Sequence, residues 1–198
     1  EAGNVNYTVS SQIILLDTTS PSIVIVDGNA TGPVQVDTIN INASDNNLNV
    51  SSLFYAFSAD AVCNVSDVYS TPYVNNTDFN ITGTHIGEFL CVVAADDLGN
   101  TVYGLVGLMN VDNTVPSVNV GADLLVDILT LLDATVTDVS GIFSYNWSQV
   151  SGPGIITFSN SSAEDTNASA DTDGTYVILL NVTDNAGNRN DSEVLTFL

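Results

Sequence analysis

Apolar and polar residues alternate along most of this chain in short runs, each closed by Gly, Asn or Asp. "PSIVIVDG", "VDTININAS", "LFYAFSAD", "FNITG", "EFLCVVAADD" and "TVYGLVGLMNVD" are rich in Val, Ile, Tyr and Phe, the composition of strands that bury one face. No stretch holds a 3.6-residue period with a cap over about ten residues. The nearest, "ADLLVDILTLLDATVTD", reads as two strands around Asp127. Strands spaced about 8 to 12 residues apart, with no helices between them, predict an all-β fold of antiparallel sandwiches.

The pattern repeats. A Gly-Asn turn followed by a strand opens the chain in "EAGNVNYTVSSQIILLD", returns in "DDLGNTVYGLVGLMNVDNTVPSVNV" from Asp96, and closes it in "TDNAGNRNDSEVLTFL" from Thr183. The first two copies run on into an Asp-containing linker, a Pro and a further strand, over Asp17 to Ile25 and Asp112 to Val120. This predicts a leading strand (1–16), a first sandwich (17–111) and a second (112–198), a period of about 90 residues. The linkers "LDTTSPS" and "VDNTVPS" are short and stiffened by Pro21 and Pro116, so neighbouring units should be semi-rigidly oriented.

The leading strand, with Val5, Tyr7, Val9 and then Ile13 to Leu16, should not stay unpaired in water. Either the chain is a segment of a longer repeat protein, or this strand completes a sandwich in a neighbouring subunit by donor-strand addition. Against simple exchange, the second repeat already carries its own last strand, "SEVLTFL".

Composition narrows the function. Hydrophobic residues make up 44% of the chain and charged residues 12%, so it is globular and its surface is made polar mainly by Asn, Ser and Thr. The net charge is −22, with Arg189 the single basic side chain. That excludes nucleic acid and anionic membrane surfaces as partners, since both require Lys and Arg. It favours cations instead, bound or as a screening atmosphere in salty water. The absence of Lys also excludes Lys–Asn isopeptide crosslinks. Cys63 and Cys91 both lie in the first repeat, with no second Cys pair or neighbouring His to suggest zinc. A disulfide in an extracellular protein is expected, the alternative being two unpaired buried thiols. No apolar run reaches the roughly 18 residues of a membrane span, and no signal peptide is recognisable.

Catalysis is not expected. The one histidine, His85, sits in "TGTHIGEF" beside a predicted turn with no evident Ser or Cys partner, and neither a phosphate loop nor an HExxH pattern occurs. N-glycosylation sequons are frequent: Asn6, Asn29, Asn42, Asn49, Asn64, Asn75, Asn80, Asn146, Asn160, Asn167, Asn181 and Asn190. Most fall in predicted loops or on the polar phase of strands, so N-linked glycans are expected partners. Trp147 in "SYNWSQV" reads as core, and no face rich in exposed aromatics marks a carbohydrate platform.

"DTTSPSIVIV", "CVVAADDLGN" and "VTDNAGN" resemble the tandem immunoglobulin-like repeats of bacterial and archaeal surface proteins. In these an Asp-Thr-x-x-Pro linker opens a domain and an Asp-x-x-Gly-Asn turn joins its last two strands. The second repeat, with "FSYNWSQVSGPGIITFSN" and "DTDGTYVILLNVTD", is similar to the PKD-type variant. The resemblance implies that the N-terminal linker, the B–C loop and the F–G turn of each sandwich meet at one pole. That pole would gather Asp17, Asp45, Asp96 and Asp97 in the first repeat, and Asp112, Asp138 and Asp184 in the second. Carboxylates forced together repel unless a cation joins them, and Ca²⁺ takes oxygens from such loops. The competing explanation is that Asp favours turns in any case. Asp171 and Asp173 in "DTDGT" are a weaker second candidate.

The expected function is that of a structural subunit in an extracellular, archaeal-type surface assembly. An S-layer, sheath or filament would fit, built as a homo-polymer with glycosylated acidic faces and Ca²⁺ at the junctions. The alternatives are the stalk of an adhesin and a carbohydrate-binding accessory module. A high-salt habitat would by itself account for the excess of Asp.

Overall fold

Every strand run named for the first repeat forms a strand in the computed structural model, which describes residues 16–28, 30–122, 130–191 and 194–197. These are β1 (Ser22–Asp27), β2 (Asp37–Ser44), β3 (Phe54–Ser58), β4 (Thr71–Pro72), β5 (Phe79–Ile81), β6 (His85–Ala95) and β7 (Thr101–Val111), with one 3-10 turn at Val50–Ser52. They pair antiparallel into two sheets, β1-β2-β5 and β4-β3-β6-β7, the two faces of an immunoglobulin-like sandwich.

Strand period explains the core. Along β2 the two-residue alternation turns Ile39, Ile41 and Ala43 inward; along β6 it does the same for Leu90, Val92 and Ala94. They meet Met109 and Val111 of β7 in one buried cluster. Each such Ile, Leu, Val or Met side chain contributes about 1.5–3 kcal/mol by leaving water. Gly104 in β7 permits close packing of β1, because a Cβ there would stand 3.1 Å from a Val92 methyl and 3.3 Å from an Ile23 methyl.

Cys91 has the opposite phase to Leu90 and Val92, so it faces outward from β6. It is nevertheless fully buried, because the loop after β3 folds over it and Cys63 closes the expected disulfide across a Cα–Cα distance of 5.4 Å.

The second half contains β8 (Ser117–Asn119), β9 (Thr130–Leu132), β10 (Thr135–Thr137), β11 (Ile142–Ser151), β12 (Ile156–Phe158), β13 (Thr166–Ala170), β14 (Tyr176–Asp184), β15 (Arg189–Asn190) and β16 (Val194–Phe197). β14 is central: β11 lies on one edge, β15 and β16 on the other. β12-β13-β9 and β10-β8 form the remaining sheets. Tyr176, Ile178, Leu180 and Val182 of β14 pack with Trp147, Leu132 and Val118 in a second cluster that shares no residue with the first. Trp147 is core as expected, and its indole N–H donates to the carbonyls of Ala163 and Glu164, both at 3.1 Å. Among the described residues no sheet mixes strands from the two halves.

Residues 1–15 of the predicted leading strand (1–16), Asp127 and the sequons at Asn6 and Asn29 lie outside the described residues. Of the expected pair of strands around Asp127, the first falls in residues 123–129, outside the described residues, and the stretch expected to form the second holds two short strands instead, β9 and β10, separated at Asp133 and Ala134. No helix among the described residues is long and apolar enough to cross a membrane.

Candidate functional site

Strand phase that builds the cores also delivers the aspartates. In β14 the buried positions run Tyr176, Ile178, Leu180, Val182 and end on Asp184. In β6 the inward series Leu90, Val92, Ala94 continues to Asp96. β2 extends through Ala43 to Asp45, and β10 from Val136 to Asp138. Each acid therefore sits one step beyond an apolar face, at the mouth of its core. Two linker residues, Asp17 and Asp112, complete the sets.

A carboxylate oxygen from each of Asp17, Asp45 and Asp96 lies within 4.8 Å of the others, and the same holds for Asp112, Asp138 and Asp184. Six of the seven expected junction aspartates are thus brought together. Asp97 is not: it is exposed in the turn, and its N–H donates to Asn47 O at 3.0 Å. Asp171 and Asp173 form no cluster among the described residues. Asp171 accepts the N–H of Ile155 at 2.8 Å.

The two clusters repeat one hydrogen-bond scheme. Asn100 donates its main-chain N–H to Asp96 Oδ1 (2.9 Å) and its amide to Asp96 Oδ2 (2.7 Å) and Asp17 O (3.1 Å). Asn188 does the same to Asp184 Oδ1 (2.8 Å), Asp184 Oδ2 (2.8 Å) and Asp112 O (3.0 Å). Thr19 closes onto Asp17 through its N–H (2.9 Å) and hydroxyl (2.6 Å), as Thr114 closes onto Asp112 (2.9 and 2.6 Å). Neither asparagine was singled out by sequence, although both are the last residue of the repeated Asp-x-x-Gly-Asn turn. Gly99 and Gly187 of those turns have φ of 89° and 91°, left-handed values that glycine adopts without steric cost.

The clusters differ in burial and in one donor. Asp112 and Asp184 are 0% and 1% exposed, whereas Asp17 is only half-buried. Asp112 also accepts the hydroxyl of Thr84, from the first half, at 3.2 Å. In the first cluster the side-chain amide of Asn47 lies against the acids, one of its two terminal atoms 2.7 Å from Asp45 Oδ1 and 2.8 Å from Asp17 Oδ2. The corresponding position in the second is Ser140, whose hydroxyl donates to Asp138 Oδ1 at 2.8 Å. Asp112 Oδ2, buried, has no hydrogen-bond partner.

Hydrogen bonding favours the ionised form of Asp17, Asp96 and Asp112. For Asp112, burial favours the neutral form. The hydroxyls of Thr114 and Ser140, the N–H of Thr114 and the hydroxyl of Thr84 together outweigh it and hold the pKa below the ordinary value. Asp96 follows the same logic, with burial opposed by Asn100, Leu98 and Gly99. Asp17 is lowered by Thr19.

Other candidates resolve simply. His85 stacks on Phe57 with ring centroids 3.6 Å apart and bonds Glu88 Oε2 at 2.7 Å, and both cysteines are locked in the disulfide. Among the sequons, Asn80, Asn146, Asn160 and Asn167 are exposed, while Asn42, Asn49, Asn64, Asn75, Asn181 and Asn190 are half-buried.

Residues 119–196 match the family model of the K319L-like PKD domain. No curated protein sequence matches the chain. Among solved structures, it is similar to the fibronectin(III)-like modules of Clostridium thermocellum CbhA, with 14% identity over 89% of this chain and 93% of that one, at a TM-score of 0.34. It is also similar to the D00-D0 domain of intimin, with 15% identity over 90% of this chain and 99% of that one, at a TM-score of 0.43. Domains of the PKD kind are typical of surface and adhesin-like proteins and are generally non-catalytic. Over residues 119–196 the chain is similar to PKD domains, and its architecture is that of immunoglobulin-like, PKD-type repeats.

Proposed function

We propose that this chain is a structural segment of an extracellular surface assembly, a lattice, sheath or filament, in which immunoglobulin-like units are held end to end at fixed angles. The observation that carries this reading is the grip on Asp112. Its N–H donates to Val34 O at 2.8 Å and its carboxylate accepts Thr84 of the first half, while its carbonyl accepts Asn188 of the second at 3.0 Å. A linker residue bonded on both sides resists bending, as a repeating scaffold requires.

Surface chemistry fits that role. A net charge of −22 concentrates cations and repels anions near whatever envelope the assembly covers. Ca²⁺ at the aspartate clusters would relieve carboxylate repulsion and tighten the junctions. N-linked glycans on the exposed sequons would cover the faces, and the Cys63–Cys91 disulfide suits an oxidising exterior.

Negative-stain electron microscopy of the native material, with and without a calcium chelator, tests the reading. Ordered sheets or filaments are the expected result, loosened by chelation. Isolated short rods at high protein concentration would overturn it and point to the stalk of an adhesin.

A further inference from the structure

We propose that the pole of the first half, where Asp17 lies, is a docking surface for a second copy of this chain, which presents to it the exposed Thr175 at the far end of its second half, so that copies join head to tail. The inference names the partner at one joint of the scaffold proposed above and rests on that reading.

The template is the junction inside the chain. β6 runs from Thr84 at one end of the first half to Asp96 at the other, and the Thr84 end meets the pole of the second half. The Thr84 hydroxyl donates to Asp112 Oδ1 at 3.2 Å, and its oxygen accepts the N–H of Asn113 at 3.2 Å. Beside it, a Cβ on Gly187 would stand 3.9 Å from the side-chain amide of Gln35. Val111, which leads into the linker, is 0% exposed.

The pole of the first half repeats this acceptor with one part missing. Asp17 Oδ1 accepts the N–H and hydroxyl of Thr19 as Asp112 Oδ1 accepts those of Thr114. The addition at Asp112 is the Thr84 hydroxyl. Leu16, the counterpart of Val111, is 86% exposed, and Leu98 in the adjoining turn is 51% exposed. Leu16, Asp17, Thr19 and Leu98 line an open groove of about 620 Å³. Apolar residues gathered on a surface whose counterpart is covered mark a contact surface.

The missing part stands at the opposite end of the molecule. β6 and β14 are equivalent strands, since the buried series of one runs into Asp96 and that of the other ends on Asp184. Gly83-Thr84 precedes the first and Gly174-Thr175 the second, with both glycines at positive φ, 96° and 149°. Thr175 therefore occupies the place of Thr84 in its own half, but it is exposed. A donor at one end and its acceptor at the other make a heterologous contact, which builds an open filament when the rotation does not close a ring.

Charge sets the conditions. Each copy carries −22, so repulsion opposes association until salt screens it. Between copies the contact also lacks the effective concentration that the linker supplies within one chain, so a crosslink and high protein concentration are the suitable probes.

Thr18, exposed, corresponds to Asn113. The full-length double variant Thr18→Cys with Thr175→Cys, mildly oxidised in about 0.5 M NaCl, is expected to give a ladder of covalent multimers on non-reducing electrophoresis. A control pair, Thr77→Cys with Thr175→Cys, should stop at dimers. Sedimentation equilibrium of the parent should show association that strengthens with salt. Thr175→Asp and Leu98→Asp, both at exposed positions, should each weaken it at least roughly tenfold by placing a carboxylate against an acidic pole. A monomer at every concentration and salt, a ladder equal in the control pair, or association indifferent to both Asp variants would overturn the inference. Ordered native assemblies found by microscopy beside such a result would leave the scaffold reading standing with a different joint, whereas isolated rods would overturn both.

Discussion

The side-chain amide of Asn75 pairs with both main-chain groups of Ala43, accepting its N–H at 2.7 Å and donating to its carbonyl at 2.8 Å. β5 pairs with β2 only over Asp37 to Ile39, so further along Asn75 and its neighbour Asn76, whose N–H reaches Ile41 O at 2.8 Å, replace the missing strand. An amide engaged in this way is not free to take a glycan. Glycopeptide mapping of native protein should find Asn75 bare and Asn146 and Asn167, which point outward from strands, modified. Asn75→Ala leaves both groups of the buried Ala43 unpaired and should cost about 1–3 kcal/mol in urea denaturation.

Tyr73 is buried against Phe79, with ring centroids 6.0 Å apart, and its hydroxyl has no partner. Burial alone pushes its pKa up to about 12. Because the folded value lies above the unfolded one of about 10, the neutral phenol supports folding fully below pH 10. That support is lost as pH rises through about 12, a fall of roughly 2–3 kcal/mol. Tyr73→Phe removes an unsatisfied hydroxyl, so it should be neutral or stabilising by up to about 1 kcal/mol at pH 7. Its alkaline unfolding should begin at higher pH than the parent's.

The disulfide closes a sequence separation of 28 residues. Chain-entropy arguments assign a loop of that size about 3–4 kcal/mol, a large share of a small domain's stability. Reduction, or the double substitution Cys63→Ser with Cys91→Ser, should lower the denaturation midpoint of the first half and leave that of the second unchanged. Tryptophan fluorescence reads only the second half, through Trp147, so the two transitions can be separated against far-UV circular dichroism.

Gly152 follows β11 with φ of 154°, and a Cβ there would stand 2.0 Å from the Tyr176 ring. The ring cannot withdraw easily, since its hydroxyl donates to Thr172 O at 2.6 Å and it is fully buried. Gly152→Ala should cost about 3 kcal/mol. Gly121→Ala, at a φ of 80° with nothing within 4 Å, should cost only its backbone strain of about 1–2 kcal/mol. Thermal melts of the two variants make the comparison.

The strands were legible because alternation of Val and Ile with Asn and Thr has only one structural meaning in β2 or β14. Position along the repeat located the acids, yet it could not separate Asp96 from Asp97, both at the start of one turn. Aligning "DDLGN" with "DNAGN" on their Gly-Asn pairs matches Asp96 to Asp184, a signal that was present and that burial makes plain. Thr84 could not be found this way, because it approaches Asp112 across 28 residues through the packing of the two halves.

The phase of β14 ties two properties to one backbone. Its buried positions end on Asp184, so one added or deleted residue within the strand would turn Tyr176, Ile178, Leu180 and Val182 to the surface and swing the acid away in the same stroke. Insertions should accordingly be tolerated in the loop after β3, where the disulfide anchors the chain independently, and be rejected between Tyr176 and Asp184. Length variation among natural versions of this repeat would then map its junction chemistry without any aspartate changing.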